Sequence, residues 1–177
     1  MNPRSLEPLA RYRSLHLDPV NLRLHLVGVP AIVWSLLVLL AAVPLPGAGS
    51  PAPVLVVAVG AWYLWLSPGL GVLAALALAG LAAGALPVAA APGGLPLAAS
   101  VFVAGWVMQF IGHARFERAK PAFLTDLRQL FVAPLFVVAE LLFLAGWNRA
   151  FDAALRDRAR ALRAEFEAAR ARVAQAQ

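Results

Sequence analysis

Apolar residues fill the middle of this chain so continuously that no Asp, Glu, Lys or Arg occurs between Arg23 and Arg115. A soluble fold could not carry so long an uncharged block repeatedly past water, so the block faces lipid or the protein interior. Pro and Gly clusters divide it into pieces that can be set against a hydrocarbon core of about 30 Å, or roughly 20 helical residues. The pattern predicts four spans. The first covers residues 19–43, with Asp18 as N-cap, Pro19 at the first helical position and a stop at PLPGAGSPAP. The second, residues 54–66, is short, and is either tilted with its flanks included or incompletely spanning. The third, residues 69–91, follows an SPG turn, is rich in Ala and Gly, and ends at PGGLP. The fourth covers residues 96–113 and continues as a more polar helix through Arg118 to a break at Pro121. A fifth apolar run, residues 131–147, has about the minimum spanning length and contains Pro134 and Glu140.

Basic residues orient these elements. They cluster before the first span (Arg4, Arg11, Arg13, Arg23) and after the fourth (Arg115, Arg118, Lys120, Arg128), while the intervening turns carry none. An even number of spans puts both clusters on one side, which the positive-inside rule makes cytoplasmic. The tail adds seven arginines, Arg149, Arg156, Arg158, Arg160, Arg163, Arg170 and Arg172. A full crossing by residues 131–147 would place that tail on the wrong side, so the fifth helix is expected to be re-entrant or interfacial. Within the tail, Phe151, Leu155, Leu162, Phe166 and Val173 fall at helical spacing among charges. An amphipathic helix lying on the membrane or on a partner chain is expected; a solvated or coiled-coil helix is the alternative. The expected fold is therefore an all-α, polytopic membrane helix bundle. It has about four transmembrane helices, a re-entrant or interfacial fifth and an amphipathic C-terminal helix, divided into a membrane-embedded domain (1–147) and an Arg-rich helix (148–177).

Composition agrees and narrows the chemistry. At 62% hydrophobic, mean hydropathy +0.76 and 14% charged, the chain is too apolar for an ordinary soluble domain. The net charge of +6 suits anionic headgroups better than base reading, so no nucleic-acid partner is expected. With no cysteine, disulfides, thiolate catalysis and iron–sulfur ligation are excluded. The N-terminal segment lacks the basic-then-apolar order of a signal peptide, so the first apolar run is expected to remain in the mature protein. Trp34, Trp62, Trp65, Trp106 and Trp147 read as interface anchors and packing residues.

The three histidines carry the candidate chemistry. His16 precedes the first span, His25 lies in its first turns and His113 ends the fourth, so the topology brings them to one membrane face. Asn21 and His25 share a helix face, and Gln109, His113 and Glu117 form a second row at four-residue spacing. Polar residues at membrane depth are costly and point to function, and neutral imidazole is a common ligand for Fe, Zn and Cu. Single histidines also cap helices or satisfy a buried carbonyl, which is the bland alternative. Three histidines are too few for an eight-histidine di-iron centre or for two bis-histidine haems, which leaves a mononuclear site. Glu140 is expected to face the interior, either paired with an arginine or orienting a ligand histidine.

Two stretches go further. The segment YRSLHLDPVNLRLHLVGVPAI, from Tyr12 through His16, Asn21 and His25, resembles the N-terminal signature of the membrane-bound Fe(II)-dependent 2-hydroxy fatty acid dioxygenases. QFIGHARFERAKPAFLTDL from Gln109, followed by APLFVVAE from Ala133, is similar to that family's second pattern. The resemblance covers Tyr12 to Glu140. It implies an iron-dependent oxidoreductase that shortens 2-hydroxy long-chain fatty acids by one carbon with O2, an activity that in fungal members serves α-oxidation after phytosphingosine breakdown. It further implies Fe(2+) on His16, His25 and His113, with Asn21, Gln109 and Glu117 orienting ligands or substrate. Were one histidine structural, Glu117 would complete a facial triad, and His16, outside the helix, would be the first to be replaced. Arg23 or Arg115 could neutralise the substrate carboxylate, although headgroup contact is the simpler role for each. In a bacterium the protein is expected in the inner (cytoplasmic) membrane with the site at its cytoplasmic face. Membrane lipid is the surrounding partner, and homo-oligomerisation is left open. A non-enzymatic lipid-binding scaffold and a zinc-dependent membrane hydrolase are the competing readings.

Overall fold

The computed structural model describes residues 3–47, 49–117 and 126–175. Among these the regular structure is helical: α1 (Pro3–Arg13), α2 (Pro19–Ala41), α3 (Pro51–Leu66), α4 (Pro68–Ala90), α5 (Gly94–Ile111), a π-helical turn (Gly112–Glu117), α6 (Gln129–Leu144) and α7 (Arg149–Gln175). Chain chemistry sets the boundaries. Asp18 caps α2 by accepting from the amides of Val20 (2.7 Å) and Asn21 (3.1 Å), and Pro19, Pro51 and Pro68 open their helices at positions where a missing N–H costs nothing. Gly93 (φ 78°) turns the chain between α4 and α5, in a left-handed conformation that a Cβ would oppose.

Among the described residues three stretches are long and apolar enough to cross a membrane: Pro19–Ala41, Pro68–Ala90 and Gly94–Glu117. The expected second span is the exception, since α3 has 16 residues and at about 1.5 Å each falls short of a hydrocarbon core of about 30 Å. Large apolar side chains point outward, with Val57 71%, Leu76 64%, Val27 62% and Val103 60% exposed. A water-facing surface would not carry them, which marks this as a membrane protein. The expected helix break at Pro121, together with Arg118 and Lys120, lies outside the described residues.

The helices α2 to α5 form the bundle, with α2 central and packed most extensively on α5. Glycine permits that approach. A Cβ at Gly105 would sit 2.7 Å from Ile32 Cγ1 and 3.3 Å from the Gly28 carbonyl, and one at Gly28 would fall on the Gln109 amide. Two contacts tie α6 to elements at the histidine end of the bundle. Near its start the Phe131 carbonyl accepts from the Tyr63 hydroxyl (2.8 Å), and toward its finish Glu140 pairs with Arg13. With 16 residues, α6 is not among the stretches long enough to cross a membrane.

Two elements differ from the sequence reading. The helix α1 was not foreseen; it buries Leu9, Ala10 and Tyr12. The first half of α7 docks on α1 of the same chain, burying Phe151, Leu155 and Ala159, a contact the sequence pattern did not predict. Arg158 reinforces the contact through Glu7, at 2.9 and 3.0 Å, which holds the Glu7 carboxyl below its ordinary value. Glu140 resolves to the arginine-pairing alternative. Its carboxylate meets Arg13, both side chains being almost wholly buried, and Arg156 of α7 stands 3.9 Å away.

Removing one partner of a buried ion pair leaves an uncompensated charge. Glu140→Ala is expected to destabilise the folded protein by about 3–5 kcal/mol, whereas Arg13→Met with Glu140→Leu should recover most of the loss. Denaturant titration in detergent, followed by far-UV circular dichroism, checks this.

Candidate metal centre

Each histidine reaches the site by a different local device. His16 sits on the loop after α1, held by its own amide on the Arg13 carbonyl (2.8 Å), and its ring stacks on Tyr12 with centroids 4.1 Å apart and planes 7° from parallel. Phe136 of α6 supports Tyr12 from behind at 4.8 Å. His25 lies two turns into α2, and His113 is the second residue of the π-turn. The ring centroids form a compact triangle, 4.2 Å between His16 and His25, 4.7 Å between His16 and His113, and 4.9 Å between His25 and His113. One potential ligand nitrogen from each lies within 4.8 Å of the others.

The hydrogen bonds decide which nitrogens are free. His16 Nδ1 stands 2.6 Å from the Tyr12 carbonyl and His25 Nδ1 stands 2.9 Å from the Asn21 carbonyl, each four residues back. A carbonyl can only accept, so both Nδ1 atoms carry the proton and both Nε2 atoms keep a lone pair. The bland role, satisfying a buried carbonyl, is thus filled by one nitrogen while the other stays open. His16 Nε2 and His113 Nδ1 are buried without a hydrogen-bond partner among the described residues. Burial foremost, then His25 and His113, keeps His16 well below the usual imidazole value, so it is neutral at neutral pH. Neutral, buried and converging imidazoles are a donor set suited to a divalent transition metal.

A cavity of about 70 Å³ opens from the histidines. Tyr12, Gln109 and Gln129 add its polar atoms, while Val29, Ile32 and Val33 of α2, Trp106 of α5, and Leu130 and Ala133 of α6 make the remainder apolar. The α5 and α6 walls make little contact with each other.

Most of the sequence-selected residues meet here, in unequal roles. Gln109 lines the cavity, with Nε2 directed at the Leu24 carbonyl (3.5 Å) and Oε1 without a partner. Asn21 is fully buried beneath the cluster; its Nδ2 donates to Glu117 Oε2 (3.2 Å) and its carbonyl holds His25. Glu117 ends the π-turn and, like Gln109, meets α2. Its oxygens accept from the Asp18 amide (3.0 Å), Asn21 and Arg163 (3.1 Å), so it does not join the histidines as a donor. Arg23 and Arg115 are exposed, and neither lines the cavity. Sequence reasoning missed Gln129. It is 4% exposed, and its Oε1 lacks a partner among the described residues. A polar residue opening an otherwise apolar run was the available signal, but that run was begun two residues later.

Residues 5–145 match the family model described as 2-hydroxy-palmitic acid dioxygenase Mpo1-like. The chain is also 32% identical over 154 residues to the 2-hydroxy-palmitic acid dioxygenase MPO1 of Saccharomyces cerevisiae (strain ATCC 204508 / S288c), covering 83% of this chain and 84% of the yeast protein. No solved structure matches significantly.

The site depends on the close approach of the π-turn to α2 at Gly112, where an added Cβ would fall on Asn21 Oδ1. Gly112→Ala is expected to cost about 1–3 kcal/mol of stability through overpacking. Paired denaturation curves of wild type and variant, in the same detergent, give the difference.

Proposed function

This chain belongs to the 2-hydroxy-palmitic acid dioxygenase Mpo1-like family, and from that premise we propose that it is an Fe(II)-dependent dioxygenase of 2-hydroxy fatty acids with His16, His25 and His113 holding the iron. The observation that carries this reading is the set of neutral imidazoles whose candidate donor atoms lie within 4.8 Å of one another, with no carboxylate in the group. Such a donor set would hold a divalent transition metal through neutral nitrogens and leave it able to take further ligands. Fe(II), when bound, supplies a redox centre at which a chelating 2-hydroxy carboxylate and O2 can react without an organic cosubstrate. The overall reaction balances as R–CH(OH)–COOH + O2 giving R–COOH, CO2 and H2O.

The protein's own groups provide orientation and exclusion of water. Tyr12 and the Asn21 carbonyl fix the rings of His16 and His25 before substrate arrives, so little ordering remains at binding. The free amide oxygens of Gln109 and Gln129 can accept the substrate hydroxyl, and their NH2 groups can donate to its carboxylate. Neutral amides do this without a fixed counter-charge, leaving the substrate charge to the metal. The apolar wall of Val29, Ile32, Val33 and Ala133 takes the first carbons of the chain. Drug-sized sites are roughly 300–1,000 Å³, so a cavity of about 70 Å³ admits the head group and not a long acyl tail. That tail leaves between α5 and α6 toward lipid. Basic residues at this end of the bundle support a site at the cytoplasmic face under the positive-inside rule, with Arg13 discounted because Glu140 neutralises it.

Protein purified anaerobically and loaded with Fe(II) is expected to consume one O2 per 2-hydroxyhexadecanoic acid and to release the acid one carbon shorter; Zn(II)-loaded protein should do neither. A lipid-binding scaffold would show no stoichiometric iron and no oxygen uptake, and either absence would sink the proposal. Each of His16→Ala, His25→Ala and His113→Ala should lose bound iron while retaining helicity; full occupancy in all three would exclude the site. Gln129→Leu should keep its iron and raise KM by about 10-fold or more, the scale of one lost hydrogen bond to a charged group, as steady-state oxygen uptake would register.

A further inference from the structure

The family match ends at residue 145, whereas α7 begins at Arg149. From this helix Arg163 nonetheless reaches two of the segments that carry the histidines directly, and the third through Glu117. Its Nη1 donates to Glu117 Oε1 at 3.1 Å and to the Ser14 carbonyl at 3.4 Å, and its Nη2 donates to the Glu117 carbonyl at 3.4 Å. Glu117 closes the π-turn that bears His113, and Ser14 lies two residues before His16. The other Glu117 oxygen accepts from the Asp18 amide and from Asn21 Nδ2, at the start of the helix that bears His25. One ion pair therefore joins three pieces of chain that are far apart in sequence.

Burial gives the contact its consequence. The Glu117 side chain is 3% exposed and that of Arg163 19%. Without Arg163 the carboxylate would keep only neutral donors in a poorly solvated place, and it would relax by turning toward water or toward the imidazoles. Either movement shifts Asn21, whose carbonyl sets the tautomer and direction of His25. The register of α7 is itself fixed, because Phe151, Leu155 and Ala159 are buried on one face and Arg158 is tied to Glu7. The helix cannot rotate Arg163 away without breaking those contacts.

We propose that Arg163 is a positioning residue for the metal centre, so that α7, outside the family-matched segment, completes the site without lining its cavity. This rests on the histidine reading above. Arg163→Met in the full-length protein is expected to weaken Fe(II) binding by about 10-fold or more, the usual scale for groups that orient ligands, with far-UV circular dichroism unchanged. Arg163→Lys should fall between the two, keeping the charge and losing the two-pronged contact. Adding Glu117→Gln to Arg163→Met should recover part of the loss, since no uncompensated carboxylate remains; a merely structural contact would give additive losses. Arg170→Met, farther along the same helix, serves as the control and should bind as wild type does. Anaerobic equilibrium dialysis against Fe(II), with metal counted per chain, reads all of these. Wild-type affinity in Arg163→Met overturns the clamp and leaves the histidine centre standing, whereas a wild type that binds no iron overturns both.

Discussion

The site depends on how polar groups are kept directed in an apolar surrounding. His16 and His25 each give the Nδ1 proton to the carbonyl four residues earlier, so the backbone of α1 and α2 determines which lone pair is left and where it points. Such a bond is strong where water is absent and costly to leave unmade. The other features of this end of the molecule keep those two carbonyls and the π-turn in register. They include the Asp18 cap, the glycine contact between α2 and α5, the Tyr12 stack and the paired carboxylates.

Two acids that look alike in sequence take related parts in this arrangement. Glu117 and Glu140 both fall in motifs of the family pattern, and both were candidates to act beside the metal. Each is instead paired with arginine, Glu140 with Arg13 and Arg156, Glu117 with Arg163. The pairs tie α1, α6 and α7 into the end of the bundle. Negative charge near the imidazoles is thereby neutralised, which favours a site of neutral donors over a mixed nitrogen–carboxylate one.

The spans were legible because the rule behind them is simple: long uncharged runs, punctuated by Pro and Gly, must be helices in lipid. Convergence of His16, His25 and His113 followed from the same counting, since an even number of crossings returns the chain to its starting face. Three things were not legible. The turn at Gly112 is π-helical, which the spacing of apolar and polar positions does not announce. The short α1 carries Pro8 within it and too few apolar residues to announce itself, yet Tyr12 and Arg13 depend on it. The Arg163 contact links residues 46 apart and is set by how α7 lies on α1, which no local pattern encodes. In the tail, a surface arginine and a half-buried one look the same in sequence.

The narrowness of the cavity between α5 and α6 has a consequence for how such an enzyme would be supplied. A pocket that admits only a head group leaves most of a fatty acid in the surrounding leaflet, so capture is lateral. The relevant concentration is then the mole fraction of the acid within the bilayer. Its solubility in water hardly enters, and adding inert phospholipid at constant substrate would slow the reaction by surface dilution, although nothing in solution had changed.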